Sequence, residues 1–255
     1  MNSTITPSPW IKIFQPISQP TLRLFCFHPS AAGASLFRPW GKYLPSNIEA
    51  CAIQLPGRET RIKEPLITKW DDLLPPLVQA LKPLIIEYPF VFFGHSLGAL
   101  ISFEVVRTLR KEKLPIPQYM FVSGRRAPHI PIDNLRHQAS NPILISTLRE
   151  YGGTAEAVLQ NQELMELFLP ILRADFTLNE KYMYFLEAPL ESPIIAFRGI
   201  NDTEFNLKQL SEWKQHTINN FALHDFPGGH MYFQQEPKAL IEAILNYDKK
   251  TPNYI

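Results

Sequence analysis

The sequence predicts an α/β fold, with a mostly parallel sheet covered by helices on both faces. Two observations carry this. Short apolar runs of strand length alternate with longer segments of helical apolar spacing along most of the 255 residues. The runs are also continuous, as in Leu24-Phe25-Cys26-Phe27, and a strand apolar at every position is one buried on both faces. Residues 1–20, polar and proline-rich, read as a loose lead-in. Strands are expected at 22–27, 48–54, 90–93, 118–122, 193–197 and 222–226, and helices at 71–86, 97–111 and 237–247. From about 130 to 186 the rhythm breaks: only helical patterns occur, at 142–150 and 163–185. This stretch reads as a helical insertion after the fourth strand, of the kind that acts as a lid. The whole chain, 1–255, is read as one domain carrying that insertion.

Lysine plus arginine number 25 and aspartate plus glutamate 24, so the net charge of +1 provides no field for nucleic acid or an anionic membrane. The Arg110-Lys111-Glu112-Lys113 stretch reads as the solvated end of a helix. Cys26 and Cys51 lie inside apolar runs and are expected to be reduced, buried hydrophobes. The 24 prolines are scattered between elements as turn and helix-start residues. Met1 to Trp10 lacks the pattern of a signal peptide, and no apolar run approaches the roughly 20 residues that span a bilayer. A cytoplasmic, monomeric protein is expected.

The strongest motif is Gly94-His95-Ser96-Leu97-Gly98, a match to G-x-S-x-G. It follows the apolar strand ending at Phe93 and precedes a segment with helical spacing, so it sits at a strand-to-helix turn. Such a turn strains the serine and lifts its hydroxyl to the start of a helix. Side chains at Gly94 and Gly98 would clash with the adjoining strand and helix. This context predicts the α/β-hydrolase fold, with Ser96 as nucleophile. His95 is assigned packing or a turn, since neighbours in the elbow point apart.

A serine hydroxyl needs a general base, and the base needs an acid that fixes its tautomer. In this fold the order is serine, acid, histidine. His230 follows Phe226-Pro227-Gly228-Gly229, just beyond the last strand, and is the expected base. His224, inside the strand, is read as a structural histidine, and His216, at a helix end, as exposed. Asp202 follows the 193–197 strand through a glycine-containing turn and is the expected acid; Asp225 is too near His230. The loop Ser123-Gly124-Arg125-Arg126 has no carboxylate to compete. Two backbone donors should receive the oxyanion: Leu97 N–H, and Ala31 N–H, with Ala32 next, from the small-residue loop His28-Pro29-Ser30-Ala31-Ala32-Gly33.

Six segments together resemble the type II thioesterases, the stand-alone editing enzymes of nonribosomal peptide and polyketide synthesis. They are His28-Pro29-Ser30-Ala31-Ala32-Gly33, Leu55-Pro56-Gly57-Arg58-Glu59-Thr60-Arg61, the elbow, Ser123-Gly124-Arg125-Arg126-Ala127-Pro128, Leu172-Arg173-Ala174-Asp175 and Gly228-Gly229-His230. The likeness runs from about residue 20 to 247, with Ala32 standing where the family usually has a glycine. It implies an α/β-hydrolase with a helical lid. It also implies removal of misprimed or stalled acyl groups from the phosphopantetheine arm of acyl or peptidyl carrier proteins. Ser96, Asp202 and His230 carry over as the triad, and Leu97 and Ala31 as oxyanion donors. The pantetheine arm belongs to the substrate, so no cofactor or metal is expected. The chain also lacks zinc-type Cys/His spacing, a dinucleotide fingerprint and a P-loop. Leu164, Leu167, Phe168, Leu169, Ile171 and Leu172 could line an acyl channel or form a helix core. The alternatives are a general carboxylesterase or acyl-CoA thioesterase, which share the triad chemistry. An excised chain-releasing domain fits less well, because the chain starts at Met1 with no carrier segment before it. A non-catalytic binding protein would be expected to have lost a triad member.

Overall fold

The computed structural model describes residues 8–247; the ends of the predicted span, 1–7 and 248–255, lie outside the described residues. Seven strands form one sheet: β1 (Ile11–Lys12), β2 (Leu22–Phe27), β3 (Ile48–Ile53), β4 (Phe90–His95), β5 (Met120–Ser123), β6 (Ile194–Gly199) and β7 (Phe221–Phe226). Their spatial order is β1-β3-β2-β4-β5-β6-β7, with every pair parallel except β1 and β3. The helices are α1 (Trp70–Ile85), α2 (Leu97–Lys111), α3 (Asn141–Tyr151), α4 (Glu156–Leu159), α5 (Gln162–Glu180), α6 (Leu207–Ser211), α7 (Tyr232–Gln235) and α8 (Pro237–Leu245).

The continuous apolar runs divide by the two-residue period of a strand. Phe25, Phe27 and Phe92 point to the face covered by α1 and α2, while Leu24, Cys26, Val91 and Phe93 point to the other. There they meet Phe37 and Trp40 of the 3₁₀ segment Ala34–Lys42, then Phe233 and α8. Phe25, Phe27 and Phe92 meet edge to face, the geometry ring quadrupoles favour. Each such ring, removed from water, contributes about 1.5–3 kcal/mol. Cys26 and Cys51 are free and buried. No helix among the described residues is long and apolar enough to cross a membrane.

The lead-in is more structured than its composition implies. Ile11 and Lys12 pair with Ile53 and Ala52, so an edge strand begins inside it. A two-residue strand leaves no periodic pattern to read. The last helix of the insertion, α5, stops at Glu180, short of the expected 185. Beyond it the chain is pulled onto α2: Tyr182 Oη donates to Glu104 Oε1 at 2.6 Å, and the Phe185 carbonyl accepts from Arg107 Nη2 at 2.6 Å. His216 is buried, not exposed, because its ring lies among Phe103 and Trp213, and its Nε2 is 2.8 Å from His129 Nδ1. His224 is exposed because β7 is an edge strand.

Helices α3, α4 and α5 lie between β5 and β6 and share a small apolar cluster of their own. It is built from Leu144, Leu148, Leu159, Met165, Leu169, Leu172 and Phe176. Asn161 caps α5 by accepting Leu164 N–H at 3.0 Å.

Candidate active site

Strand β4 ends at His95 and α2 starts at Leu97, so the chain reverses at Ser96 alone. Ser96 has φ 53° and ψ −115°, a conformation that is costly for a residue with a Cβ. The neighbours hold it there: Ser96 N–H donates to Ser123 O at 2.8 Å, and Ala99 N–H to Ser96 O at 3.1 Å. A Cβ on Gly98 would strike the Phe27 carbonyl, and one on Gly94 the Gly98 carbonyl, as the elbow requires. Leu97 N–H is the first donor of α2 and has no partner in the helical ladder, at the positive end of the helix dipole.

The β6–α6 loop brings Asp202 to the β7–α7 loop that carries His230. His230 Nδ1 donates to Asp202 Oδ2 at 2.8 Å; the Asp202 side chain is fully buried and that of His230 nearly so. Asp202 Oδ1 accepts Glu204 N–H at 3.0 Å, so both carboxylate oxygens are held. This fixes the tautomer that leaves His230 Nε2 bare. Nε2 is buried without a partner, so no hydrogen bond yet joins it to Ser96. Such bonds often form only once substrate is seated.

His95 and Tyr151 pack against the His230 ring, at 4.9 Å and 4.5 Å between centroids. His95 Nδ1 pairs with Ser123 Oγ at 2.9 Å, and Ser123 Oγ with Tyr232 Oη at 2.7 Å. Burial, and then the charge His230 would carry, hold His95 well below the usual histidine range, so it stays neutral. This fits its expected packing role. Tyr151, at the end of α3, was not legible as a site residue. Its hydroxyl donates to Glu204 Oε2 at 2.9 Å and accepts from Arg136 Nη1 at 2.7 Å. Burial alone would raise the Glu204 carboxyl, but Arg136 and Tyr151 bring it below the ordinary carboxylate range. The only sequence signal for this group was proximity of Glu204 to Asp202; Arg136 and Tyr151 come from distant segments.

The loop after β2 reaches Ser96 from the other side. Ala31 has φ 60°, again left-handed for a residue with a side chain. Its N–H, the expected second oxyanion donor, is already bonded to Asp175 Oδ2 at 2.8 Å. In this state that donor is occupied. Ala32 N–H makes only a 3.3 Å turn contact with Pro29 O.

These parts open on one cleft of about 540 Å³. Ser96, His230 and the Pro29–Gly33 loop form one wall. Leu148, Tyr151, Val158, Leu167, Phe168 and Ile171 of the insertion form the other. Of the six apolar residues singled out in α5, Leu167, Phe168 and Ile171 line the cleft. Leu169 and Leu172 belong to the insertion's own core, and Leu164 is exposed. A hydroxyl, a base fixed by an acid and an apolar cleft suit transfer of an acyl group.

Comparison with known proteins agrees. The thioesterase domain family matches residues 22–247. The chain is 41% identical over 224 residues to the gramicidin S biosynthesis protein GrsT of Aneurinibacillus migulanus, covering 88% of this chain and 87% of GrsT. It is 36% identical over 238 residues to thioesterase PikA5 of Streptomyces venezuelae, covering 93% and 85%. The solved structure of RedJ, a thioesterase from the prodiginine biosynthetic pathway in Streptomyces coelicolor, superposes with a TM-score of 0.83. Its identity is 31%, over 90% of this chain and 86% of that one. A serine elbow on a mostly parallel sheet and a match along nearly the whole chain lead to one conclusion: this chain belongs to the thioesterase family, an α/β-hydrolase that cleaves thioesters.

Proposed function

We propose that this thioesterase removes aberrant or stalled acyl groups from the phosphopantetheine arm of carrier proteins in nonribosomal peptide or polyketide synthesis. The chemistry rests on one observation: a buried Asp202–His230 pair whose free Nε2 shares a cleft with the strained Ser96. The biosynthetic setting is supported by GrsT, named for gramicidin S biosynthesis, and by RedJ, a thioesterase from the prodiginine biosynthetic pathway. The free, buried cysteines suit a reducing compartment such as the cytoplasm.

Ser96 Oγ attacks the thioester carbonyl while His230 Nε2 takes its proton. Asp202 holds the imidazolium that forms. The tetrahedral oxyanion is received by Leu97 N–H and by a second donor from the turn at Ala31 and Ala32. The C–S bond then breaks, His230 returns the proton to the pantetheine sulfur, and an acyl-serine remains. Water, activated by the same nitrogen, releases the free acid and restores Ser96. Helices α3–α5 act as a lid over this step, with Leu167, Phe168 and Ile171 against the acyl chain.

Intact-protein mass spectrometry of an acetyl-loaded carrier protein tests the proposal, with acetyl-pantetheine and a simple aryl ester run alongside. Faster loss from the carrier than from the small mimics is expected, and Ser96→Ala should abolish it, by about 10⁶-fold in kcat. A carrier that stays loaded while the aryl ester is hydrolysed would replace the editing role with that of a general esterase.

A further inference from the structure

Two segments that the reaction itself does not use meet at the oxyanion loop. Arg58, in the Pro56-Gly57-Arg58-Glu59 turn, and Asp175, on α5, face each other with side chains only 4% and 0% exposed. Arg58 Nη1 donates to Asp175 Oδ2 at 2.7 Å and Nη2 to Oδ1 at 2.8 Å, the bidentate form of a charge pair. The pair also grips the loop. Asp175 Oδ2 accepts Ala31 N–H at 2.8 Å, and Arg58 Nη1 donates to the Ala32 carbonyl at 3.2 Å. Ala31 and Ala32 are thus held at their outer ends, and the peptide between them stays ungripped. Its N–H, that of Ala32, has only the 3.3 Å contact to Pro29 O, and both residues line the cleft.

We propose that Asp175, paired with Arg58, is the positioning residue of the oxyanion hole: it takes the Ala31 N–H for itself and leaves the Ala32 N–H as the second donor beside Leu97. The reasons are physical. A left-handed Ala31 persists only if its surroundings hold it, and this pair supplies the hold. To free Ala31 N–H instead, a fully buried carboxylate would have to give up a charge-assisted bond with no replacement. To free Ala32 N–H, only a long turn contact need be exchanged. Arg58 matters in a second way. An oxyanion forming near a bare carboxylate would be repelled, and two guanidinium bonds offset that charge. Since Asp175 stands on α5, the insertion and the hole are mechanically joined.

The proposal rests on the triad reading but not on the carrier-protein reading, so its test uses a small aryl thioester and a fluorophosphonate probe. Both need the oxyanion hole, and neither needs a carrier. Asp175→Ala should lower kcat and the rate of Ser96 phosphonylation together by about 10²–10³-fold, the loss of one donor, with KM little changed. Asp175→Asn, which keeps an oxygen for Ala31 N–H, should recover most of that loss. Because Asp175→Ala strands Arg58 and could fail to fold, a second variant replaces the Ala32 backbone N–H by an ester oxygen through lactic acid incorporation. It should show the same 10²–10³-fold loss. A folded Asp175→Ala enzyme with unchanged kcat, or an Ala32 ester labelled at the wild-type rate, overturns the proposal. A wild-type chain inert to the probe would instead defeat the triad reading beneath it.

Discussion

On one wall of the cleft stand Ser96, just after β4, and His230, in the loop after β7, with Asp202 buried behind it in the loop after β6; the sheet that carries them is covered by apolar clusters on both faces. On the other, Leu148, Tyr151 and Phe168 stand on or just beside helices that pack on a cluster of seven buried residues. The first wall is set by backbone constraint: a left-handed serine, glycines that admit no Cβ, and a carboxylate with both oxygens bonded. The second meets the first through a few side-chain ties. Chief among them are Asp175 with Arg58 and Tyr151 with Glu204. The difference teaches where rigidity is spent. A hydrogen-bonded Asp202–His230 pair tolerates little displacement, and its two loops spring directly from neighbouring strands of the sheet. The insertion wall instead rests on a small, separate core.

That division predicts effects of very different size. The largest should come from the sheet wall: Asp202→Asn leaves the packing intact but allows the wrong His230 tautomer, and should lower kcat by about 10⁴-fold. Steady-state rates alongside circular dichroism check it; a well-folded variant within tenfold of wild type would erase the contrast between the walls.

Acid should weaken the sheet wall first. His28, at the start of the loop that carries Ala31 and Ala32, donates from Nδ1 to Pro29 O at 2.8 Å. Burial, then the Arg58 charge, lower it to about 4. The unfolded chain takes up a proton near pH 6.5 that the folded chain refuses until about pH 4. Stability therefore falls as pH drops through that window, by about 3 kcal/mol at its foot. His216, lowered to about 4 chiefly by burial, adds in the same direction. Helices α3–α5 contain no histidine. Urea midpoints at pH 7 and 4.5 should diverge less in His28→Asn than in wild type. Equal divergence would remove His28 as the source.

The smallest effect belongs to the insertion wall. Phe168 is half-buried and lines the cleft. Phe168→Ala should leave acetyl hydrolysis nearly unchanged and weaken kcat/KM for an eight-carbon acyl thioester by about 1 kcal/mol, five- to tenfold. Equal losses on both substrates would mean that Phe168 supports the fold and not the acyl chain.

How much was legible follows the range of the interactions. The elbow could be read because its constraint is local: five residues, two of them glycine, between a strand and a helix. Asp202 and His230 could be read because a parallel sheet collects the loops after β6 and β7 on one edge. Ala31 was chosen from loop composition alone, which cannot show that a carboxylate 144 residues away holds its N–H. Arg58 and Asp175 stood out only within motifs, without a role, since they are 117 residues apart. The end of α5 was misjudged because Tyr182 and Phe185 continue a helical apolar pattern while bonding to α2 instead.

By itself the sequence determined the alternation of strands and helices, the strand-to-helix turn at Ser96 and the order of Ser96, Asp202 and His230 along the chain. Each of these follows from local periodicity or from a turn that only certain residues can make. Tertiary structure alone decided which N–H groups remain open to an oxyanion, what packs on the His230 ring and which insertion residues face the cleft. Those outcomes depend on side chains from distant segments that tertiary packing brings together, and no spacing along the chain records which buried donor finds which acceptor.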